Sequence, residues 1–157
     1  MNAIQAKSRS YLVKDYMGHD IVTVDVGESV LAASKLMDEK GIGYVIVLEK
    51  SKPTGIVTER DLVMKVMAKE QDPSTVKASK VMSTPLITVD PNANIETAVS
   101  IMAKHRIRRL PVVRENVIYG VFTTRDLTKY FGRYLDRVTR DLIGAQPIFQ
   151  SSYEMGF

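Results

Sequence analysis

The sequence predicts an α/β (α+β) fold in which two β-α-β-β-α repeats pack together with pseudo-twofold symmetry. The main observation is a duplication, because the stretch from Gly55 to Leu62 recurs 65 positions later, from Gly120 to Leu127. No gap is needed to keep this offset from Met17 onward. A fixed period of this length marks a duplicated supersecondary unit. The second observation is that each unit contains short apolar runs of strand length, which neither unit could cover alone.

The elements of the first repeat follow from its hydrophobic periodicity and from residues that start or stop helices. β-Branched residues at 21–24 indicate a short strand. Ser29 can begin a helix with apolar residues at helical spacing, and Gly41 can end it. The nearly continuous apolar run at 44–48 indicates a strand that is buried on both faces. The predicted elements are a strand at 21–24, a helix from 29 to 41, hairpin strands at 44–48 and 54–58, and a helix from 59 to about 69.

The second repeat has the same predicted order. Asn92 or Asn94 can cap its first helix, and Pro111 is expected at a strand edge or at the first residue of a strand. The predicted elements are a strand at 86–89, a helix after residue 94, hairpin strands at 110–113 and 117–123, a last helix from about 124 to 143, and short lead-in helices at 11–17 and 76–82. The last helix departs from the repeat because its apolar face continues for about 20 residues. This face carries Leu127, Tyr130, Phe131, Tyr134, Leu135, Val138 and Leu142.

The repeats define the domain organisation. We divide the chain into an N-terminal segment (1–12), repeat one (13–69), a linker (70–77), repeat two (78–134), and a helix extension with a tail (135–157). The tail at 146–157 has two phenylalanines and a tyrosine, which a disordered tail usually lacks. It is therefore expected to pack on its own domain or on a second subunit.

Composition excludes several classes of protein. The absence of cysteine excludes disulfides and thiolate metal sites. No apolar run is long enough for a transmembrane helix, and residues 1–10 lack the apolar core of a secretory signal. The chain is therefore expected to be cytoplasmic. The net charge of +4 fits either nucleic acid or a small ligand that carries phosphate.

The repeated Thr-x-x-Asp pattern suits two different roles. Thr58 and Asp61, like Thr123 and Asp126, stand where a strand ends and a helix begins. One reading is a helix capping box, with aspartate in place of glutamate. The other is a polyol site, because the two oxygens of a carboxylate can accept both hydroxyls of a ribose. Spacing alone leaves both readings open.

A family resemblance rests on three motifs of the second repeat. They are Met-Ser-Thr-Pro-Leu-Ile-Thr-Val-Asp-Pro at 82–91, Ile-Arg-Arg-Leu-Pro-Val-Val at 107–113 and Gly-Val-Phe-Thr-Thr-Arg-Asp-Leu at 120–127. With these motifs the chain resembles a tandem pair of CBS domains, named after cystathionine β-synthase, over about residues 13–134. The first repeat departs from the pattern, since it has Gly18-His19-Asp20 in place of Ser83-Thr84-Pro85.

The resemblance implies a stand-alone regulatory module, without catalytic residues, that binds AMP, ADP or ATP in clefts between the repeats. It places Thr58, Asp61, Thr123 and Asp126 at the ribose. It places Ile21, Val22, Thr23, Val45, Leu86, Ile87, Thr88, Leu110 and Pro111 against the adenine. It places Thr84 and Pro85 in the second cleft, with His19 and Asp20 as their replacements in the first. His105, Arg108, Arg109 and Arg125 complete the residues expected at the phosphates or elsewhere in the clefts.

The basic residues are distributed unequally, and this leaves alternatives. Arg108 and Arg109 have the uncharged counterparts Gly43 and Tyr44 in the first repeat. We therefore expect the cleft around Asp126 to bind the more anionic ligand. The alternative functions are nucleic-acid binding through the cluster Arg106–Arg109 and sensing of S-adenosylmethionine. Neither histidine has a second ligand at metal-binding spacing, so no metal or required cofactor is expected. Modules that resemble this one commonly pair, so a homodimer is expected, with a regulated protein as a possible further partner.

Overall fold

The computed structural model describes residues 11–143, with side chains described through residue 140. The tail prediction at 146–157 lies outside these residues. The strands are β1 (Thr23–Asp25), β2 (Tyr44–Glu49), β3 (Lys52–Thr58), β4 (Arg109–Arg114) and β5 (Val117–Thr123). The helices are α1 (Val30–Lys40), α2 (Glu59–Lys65), α3 (Ala78–Val81), α4 (Ile95–His105) and α5 (Thr124–Ile143), with single 3-10 turns at Val13–Asp15 and Met67–Lys69. The predicted mixed fold of two repeats is confirmed.

The first repeat forms a three-stranded sheet in the order β1-β2-β3. Strand β1 runs parallel to β2, and β2 forms an antiparallel hairpin with β3. The helix limits confirm the sequence signals: Ser29 accepts a hydrogen bond from the amide of Ala32, and Gly41 ends α1 with φ of 63°. A left-handed residue at this place is the common way to end a helix, and glycine adopts it without a steric penalty.

The second repeat differs at the predicted strand 86–89. Only Val89 pairs with the hairpin, beside Val112, and the two-stranded sheet contains β4 and β5 alone. The reason lies in Pro111. In the first repeat the amide of Ile46 donates to the carbonyl of Val22, but its counterpart 65 positions later is proline, which has no N–H. The ladder hydrogen bond that would extend the strand to residue 87 therefore cannot form.

The hairpin strands are buried on both faces, as the apolar runs predicted. Val45 and Val47 of β2 face the core beneath α1. The alternate residues Tyr44 and Ile46 face the other repeat and meet Val121 of β5. Because side chains alternate along a strand, one strand serves both a core within its own repeat and the apolar layer between repeats.

The lead-in segments cross between the repeats. Val13, which is fully buried, packs into the core of the second repeat, and its amide donates to the carbonyl of Ala93 at 2.9 Å. Val81 in α3 packs in the opposite direction, into the core of the first repeat. Each segment then bridges to a hairpin strand: Gly18 pairs with Val121, and Ser83 pairs with Ile56.

Helix α5 extends beyond the second repeat, and its 20 residues match the predicted length. Its first turns join the lead-in segment through an aromatic cluster of Tyr11, Tyr16, Tyr130 and Tyr134, with ring centroids 5.0 to 6.5 Å apart. Phe131, which follows Tyr130 directly in the helix, remains 56% exposed. Within residues 11–143, no helix combines the length and the hydropathy that crossing a bilayer requires.

Candidate functional site

A cavity of about 480 Å³ lies between the repeats at the first turns of α5. We call it the Asp126 cavity. The second repeat contributes the end of β5, the first turns of α5 and the start of β4, while the first repeat contributes the segment before β1 and the start of β2. Its lining consists of Gly18, Asp20, Gly41, Ile42, Gly43, Tyr44, Glu59, Arg108, Arg109, Val121, Thr123, Thr124, Arg125, Asp126 and Lys129.

Asp126 is buried to 94% (6% exposed) and presents two oxygens in different ways. Its Oδ2 accepts hydrogen bonds from the amide and the hydroxyl of Thr123, both at 2.8 Å. The amide of Asp126 in turn donates to the Thr123 hydroxyl at 3.3 Å. The capping reading of this pair is thus correct. No group among the described residues donates a hydrogen bond to Oδ1. Every fully buried side-chain oxygen or nitrogen in this part of the chain does have a partner. Oδ1 is therefore not fully buried, and it can accept a hydrogen bond from a ligand.

Asp61 has the same cap but a different second oxygen. Its Oδ2 accepts from the amide and hydroxyl of Thr58, at 2.9 and 3.0 Å. Its Oδ1 lies 2.8 Å from the ammonium of Lys65, one helical turn further along α2. The two Thr-x-x-Asp pairs are therefore alike as helix caps and unlike as acceptors, because one cation already occupies the remaining oxygen of Asp61.

Charged side chains of both signs line the Asp126 cavity. Arg108, Arg109, Arg125 and Lys129 are its cations, and Asp20, Glu59 and Asp126 are its carboxylates. The guanidinium of Arg109 is held from two sides: it lies 3.4 Å from Glu59 Oε2 and 5.5 Å from the ring centre of Tyr44. The contact with the ring face is a cation–π interaction, which favours a guanidinium stacked in place.

Tyr44 forms part of the wall below Arg109. Its hydroxyl donates to the carbonyl oxygen of Asp20 at 3.3 Å and so ties β2 to the segment before β1. Burial raises the pKa of Tyr44 above its ordinary value of 10.0, and the nearby carboxylate of Asp20 raises it further. Tyr44 therefore stays neutral at physiological pH and can serve the cavity as a flat, partly apolar surface.

Five of the predicted site residues meet in this cavity: Thr123, Asp126, Arg108, Arg109 and Arg125. Others lie elsewhere. Val45, Leu110 and Pro111 are fully buried and are not among the residues that line the cavity. Val22 belongs to the first core, Ile87 packs against the second, and Leu86 packs on the layer between repeats, while Ile21 is 39% exposed. Thr23 lies in β1, Thr88 lies just before the Val89 bridge, and His105 is exposed at the end of α4.

The segment that precedes the first strand of each repeat lies beside the hairpin of the other repeat, whereas it was expected in the cleft of its own repeat. Thr84 and Pro85 were expected beside Asp126, but the Thr84 hydroxyl donates to the carbonyl of Thr54 in the first repeat, at 3.0 Å. Asp20 instead lines the Asp126 cavity. The cause is the crossing of the lead-in segments, which seats Gly18 on β5. The carboxylate of Asp20 was thus expected near the cleft around Asp61, but it lines the Asp126 cavity.

Sequence reasoning did not identify Gly18, Glu59, Lys129 or the ring of Tyr44 as parts of the site. Lys129 could have been found, because it stands four residues after Arg125 and residues at this spacing share a helix face. Glu59 and Tyr44 belong to the first repeat, and a period in the sequence does not show which element of one repeat faces the other. No three acidic or histidine side chains among residues 11–140 are grouped so as to hold a metal ion.

Comparison with known proteins agrees with this architecture. The CBS domain family matches residues 13–68 and again residues 78–133. The uncharacterized protein MK0525 of Methanopyrus kandleri is 39% identical over 121 residues, which are 76% of this chain and 62% of that protein. The chain thus spans less than two thirds of that relative's length.

Two solved structures share the fold. The hexameric CBS-CP12 protein from bloom-forming cyanobacteria is 28% identical, with a TM-score of 0.71 over 85% of this chain and 84% of that one. The CBS domain pair of protein MJ0100, solved in complex with 5′-methylthioadenosine and S-adenosyl-L-methionine, is 24% identical, with a TM-score of 0.71 over 80% of this chain and 98% of that one. The two family matches cover more than half of the sequence, and this chain belongs to the CBS domain family as a protein with two consecutive copies of the domain.

Proposed function

We propose that this chain is a non-catalytic regulatory module that binds an adenine nucleotide in the Asp126 cavity and transmits its occupancy to a partner protein or across a homodimer. The observation that carries the proposal is the available Oδ1 of Asp126. The carboxylate is buried, fixed by Thr123 through its other oxygen, and open to the cavity on one side. Such a group can accept from a ribose hydroxyl without first being reorganised, and charge-assisted hydrogen bonds of this kind are among the stronger ones.

The cations of the cavity favour a ligand with phosphate. Arg125 and Lys129 stand on successive turns of α5, and Arg108, the residue before β4, lines the same cavity. At an effective dielectric constant of about 20, one charge pair 4 Å apart is worth roughly 4 kcal/mol before desolvation is subtracted. The carboxylate of Glu59 partly cancels the positive charge of Arg109. We therefore assign the phosphates to Arg108, Arg125 and Lys129, and assign Arg109 chiefly to support of the Tyr44 ring.

The apolar part of the lining suits a planar base. Ile42, Tyr44 and Val121 line the cavity, and a ring stacked on such side chains gains from burial and from its π face. The cavity volume lies within the range of small-molecule sites, about 300–1,000 Å³. That a protein of this fold was solved with adenosyl compounds agrees with an adenosine moiety, which supports the proposed nucleoside.

S-adenosylmethionine remains an alternative ligand, and the charges disfavour it. Arg108, Arg125 and Lys129 would repel its positive sulfonium, and its single carboxylate offers them less negative charge than a phosphate chain does. Nucleic-acid binding through Arg106–Arg109 is the second alternative. It requires a cluster free to contact phosphates, but Arg109 is engaged by Glu59 and Tyr44. Binding to nucleic acid would also weaken steeply with salt and would not compete with AMP.

The test is titration calorimetry with AMP, ADP, ATP and S-adenosylmethionine on the wild type and on Asp126→Asn. Asparagine keeps a carbonyl oxygen for the Thr123 amide, so the helix cap survives, but its amide nitrogen cannot accept from ribose. We expect a loss of about 1.5–3 kcal/mol, which is roughly 10- to 150-fold in Kd. Asp61→Asn is the matched control and should leave the tight site intact. Nucleotide affinity that is equal in Asp126→Asn and in the wild type would refute the proposal.

A further inference from the structure

One of the differences between the two repeats is the residue that follows each aspartate by four positions. After Asp61 this residue is Lys65, whose ammonium lies 2.8 Å from Asp61 Oδ1 and donates to the carbonyl oxygen of Val81 at 2.7 Å. After Asp126 it is Tyr130, whose ring meets Tyr16 edge to face at 5.4 Å between centroids. Both residues thus contact the lead-in segment of the other repeat, at positions that match under the 65-residue offset, but only one of them is a cation.

The ammonium of Lys65 already pairs with the carboxylate to which a ribose hydroxyl would donate a hydrogen bond. Oδ2 of Asp61 is committed to Thr58, as Oδ2 of Asp126 is to Thr123. The remaining oxygen of Asp61 is paired, whereas the remaining oxygen of Asp126 is open. Asp61 and Asp126 are similarly buried, at 8% and 6% exposed, so the difference between them lies in the ion pair that Oδ1 of Asp61 makes with Lys65. A ribose hydroxyl would have to share Oδ1 with the ammonium, which weakens the charge that Oδ1 offers, or displace it, which leaves two charged groups less well paired.

We propose that Lys65 is a built-in substitute for ligand in the cleft around Asp61, so that each chain binds one adenine nucleotide, at Asp126. The inference rests on the proposed function of the Asp126 cavity and adds the stoichiometry and the residue that sets it. The side chain of Lys65 is 44% exposed. A substitution that removes its charge should therefore free Asp61 with little change in the core. Lys65 is therefore a residue that determines specificity between two clefts with the same Thr-x-x-Asp motif.

The test is calorimetric stoichiometry with AMP on Lys65→Met, Lys65→Arg and the wild type. Methionine keeps an unbranched stem but cannot pair with Asp61, while arginine keeps the positive charge. We expect one site in the wild type and in Lys65→Arg, and a second site in Lys65→Met whose affinity is raised about tenfold or more. Adding Asp61→Asn to Lys65→Met should abolish the second site. If Lys65→Met does not fold, judged by thermal melting, Lys65→Ala replaces it, because alanine has no side-chain donor for Asp61.

The outcomes separate the two proposals. Two sites of similar affinity in the wild type, or one site in a folded Lys65→Met or Lys65→Ala variant, would overturn the role of Lys65 and leave the Asp126 site standing. No AMP binding in any variant would instead refute the proposed function. A single wild-type site that Asp61→Asn removes and Asp126→Asn spares would overturn both.

Discussion

Gly120 controls how closely the repeats approach beside the cavity. It lies in β5, where a Cβ would overlap the carbonyl oxygen of Gly18 and would come within 3.0 Å of the sulfur of Met17. Gly18 cannot simply move away, because two backbone hydrogen bonds of 2.9 and 3.0 Å join it to Val121. Gly120→Ala must therefore either separate the lead-in segment from β5 or strain both.

The magnitude follows from these contacts. Relieving the overlap requires a shift of roughly 1 Å, which stretches both hydrogen bonds beyond useful length. Each lost hydrogen bond contributes about 0.5–1.5 kcal/mol, and overpacking adds about 1–3 kcal/mol. Alanine also restricts the unfolded chain, which offsets about 0.4–1 kcal/mol. We expect Gly120→Ala to lower the free energy of unfolding by about 2–5 kcal/mol, and to weaken AMP binding as well, because Gly18 lines the cavity.

Urea denaturation followed by circular dichroism measures this loss. Gly55→Ala is the matched variant in the other repeat, where the Cβ would lie 2.7 Å from the sulfur of Met82 and 2.9 Å from the oxygen of Ser83. A smaller loss is expected there, because a methionine side chain can turn aside. Gly132→Ala, with no heavy atom within 4 Å, should stabilise helix α5 by about 0.5–1 kcal/mol. A loss below about 0.5 kcal/mol in Gly120→Ala would refute the reasoning, since it would show that the lead-in segment is not held against β5.

Two further predictions concern Tyr44 and the exposed face of α5. Because burial raises the pKa of Tyr44 above 10.0, the folded state favours the neutral phenol, and this stability is present below pH 10 and lost as pH rises through the folded pKa. Tyr44→Phe should therefore lose less stability than the wild type as pH rises above 10.0, which melting curves at increasing pH would show; an equal loss in both proteins would contradict the assignment. Phe131, Tyr134 and Leu135 are 56%, 37% and 36% exposed, so we expect a homodimer through α5. Light scattering at micromolar concentration should give twice the mass of one chain, and Phe131→Glu should halve it; a wild-type monomer would rule this interface out.

The elements of each repeat could be predicted because their signals are local. Ser29 and Gly41 bound α1 through hydrogen bonding and backbone conformation within a few residues. The pair Thr123 and Asp126 likewise caps α5 by contacts within one turn. The lysine that pairs with Asp61 was also readable, since residues four apart lie on one helix face. Such features depend on short stretches of sequence and little else.

The cavity could be predicted only in part, because it depends on contacts between repeats. The offset identifies Asp20 and Pro85 as equivalent positions but does not show that each lies beside the other repeat's hairpin. The continuous apolar run of β2 does not show which residues face the partner repeat; the family resemblance placed Val45 at the ligand, whereas Tyr44 lines the cavity and Val45 lies in the first core. The missing strand at 86–89 follows from one absent amide, at Pro111, whose consequence depends on the neighbouring strand.

The crossing of the lead-in segments also has a consequence for the order in which the chain can fold during synthesis. The segment around Val13 leaves the ribosome early, but its hydrogen-bonding partner Ala93 and its packing partner Phe122 are made some 80 to 110 residues later. Until then this segment has no site on which to dock. The first core, by contrast, is completed as soon as Val81 has emerged. Contacts of such long sequence separation form slowly, so the lead-in segment around Val13, although made before the second repeat, is among the last parts to reach its place.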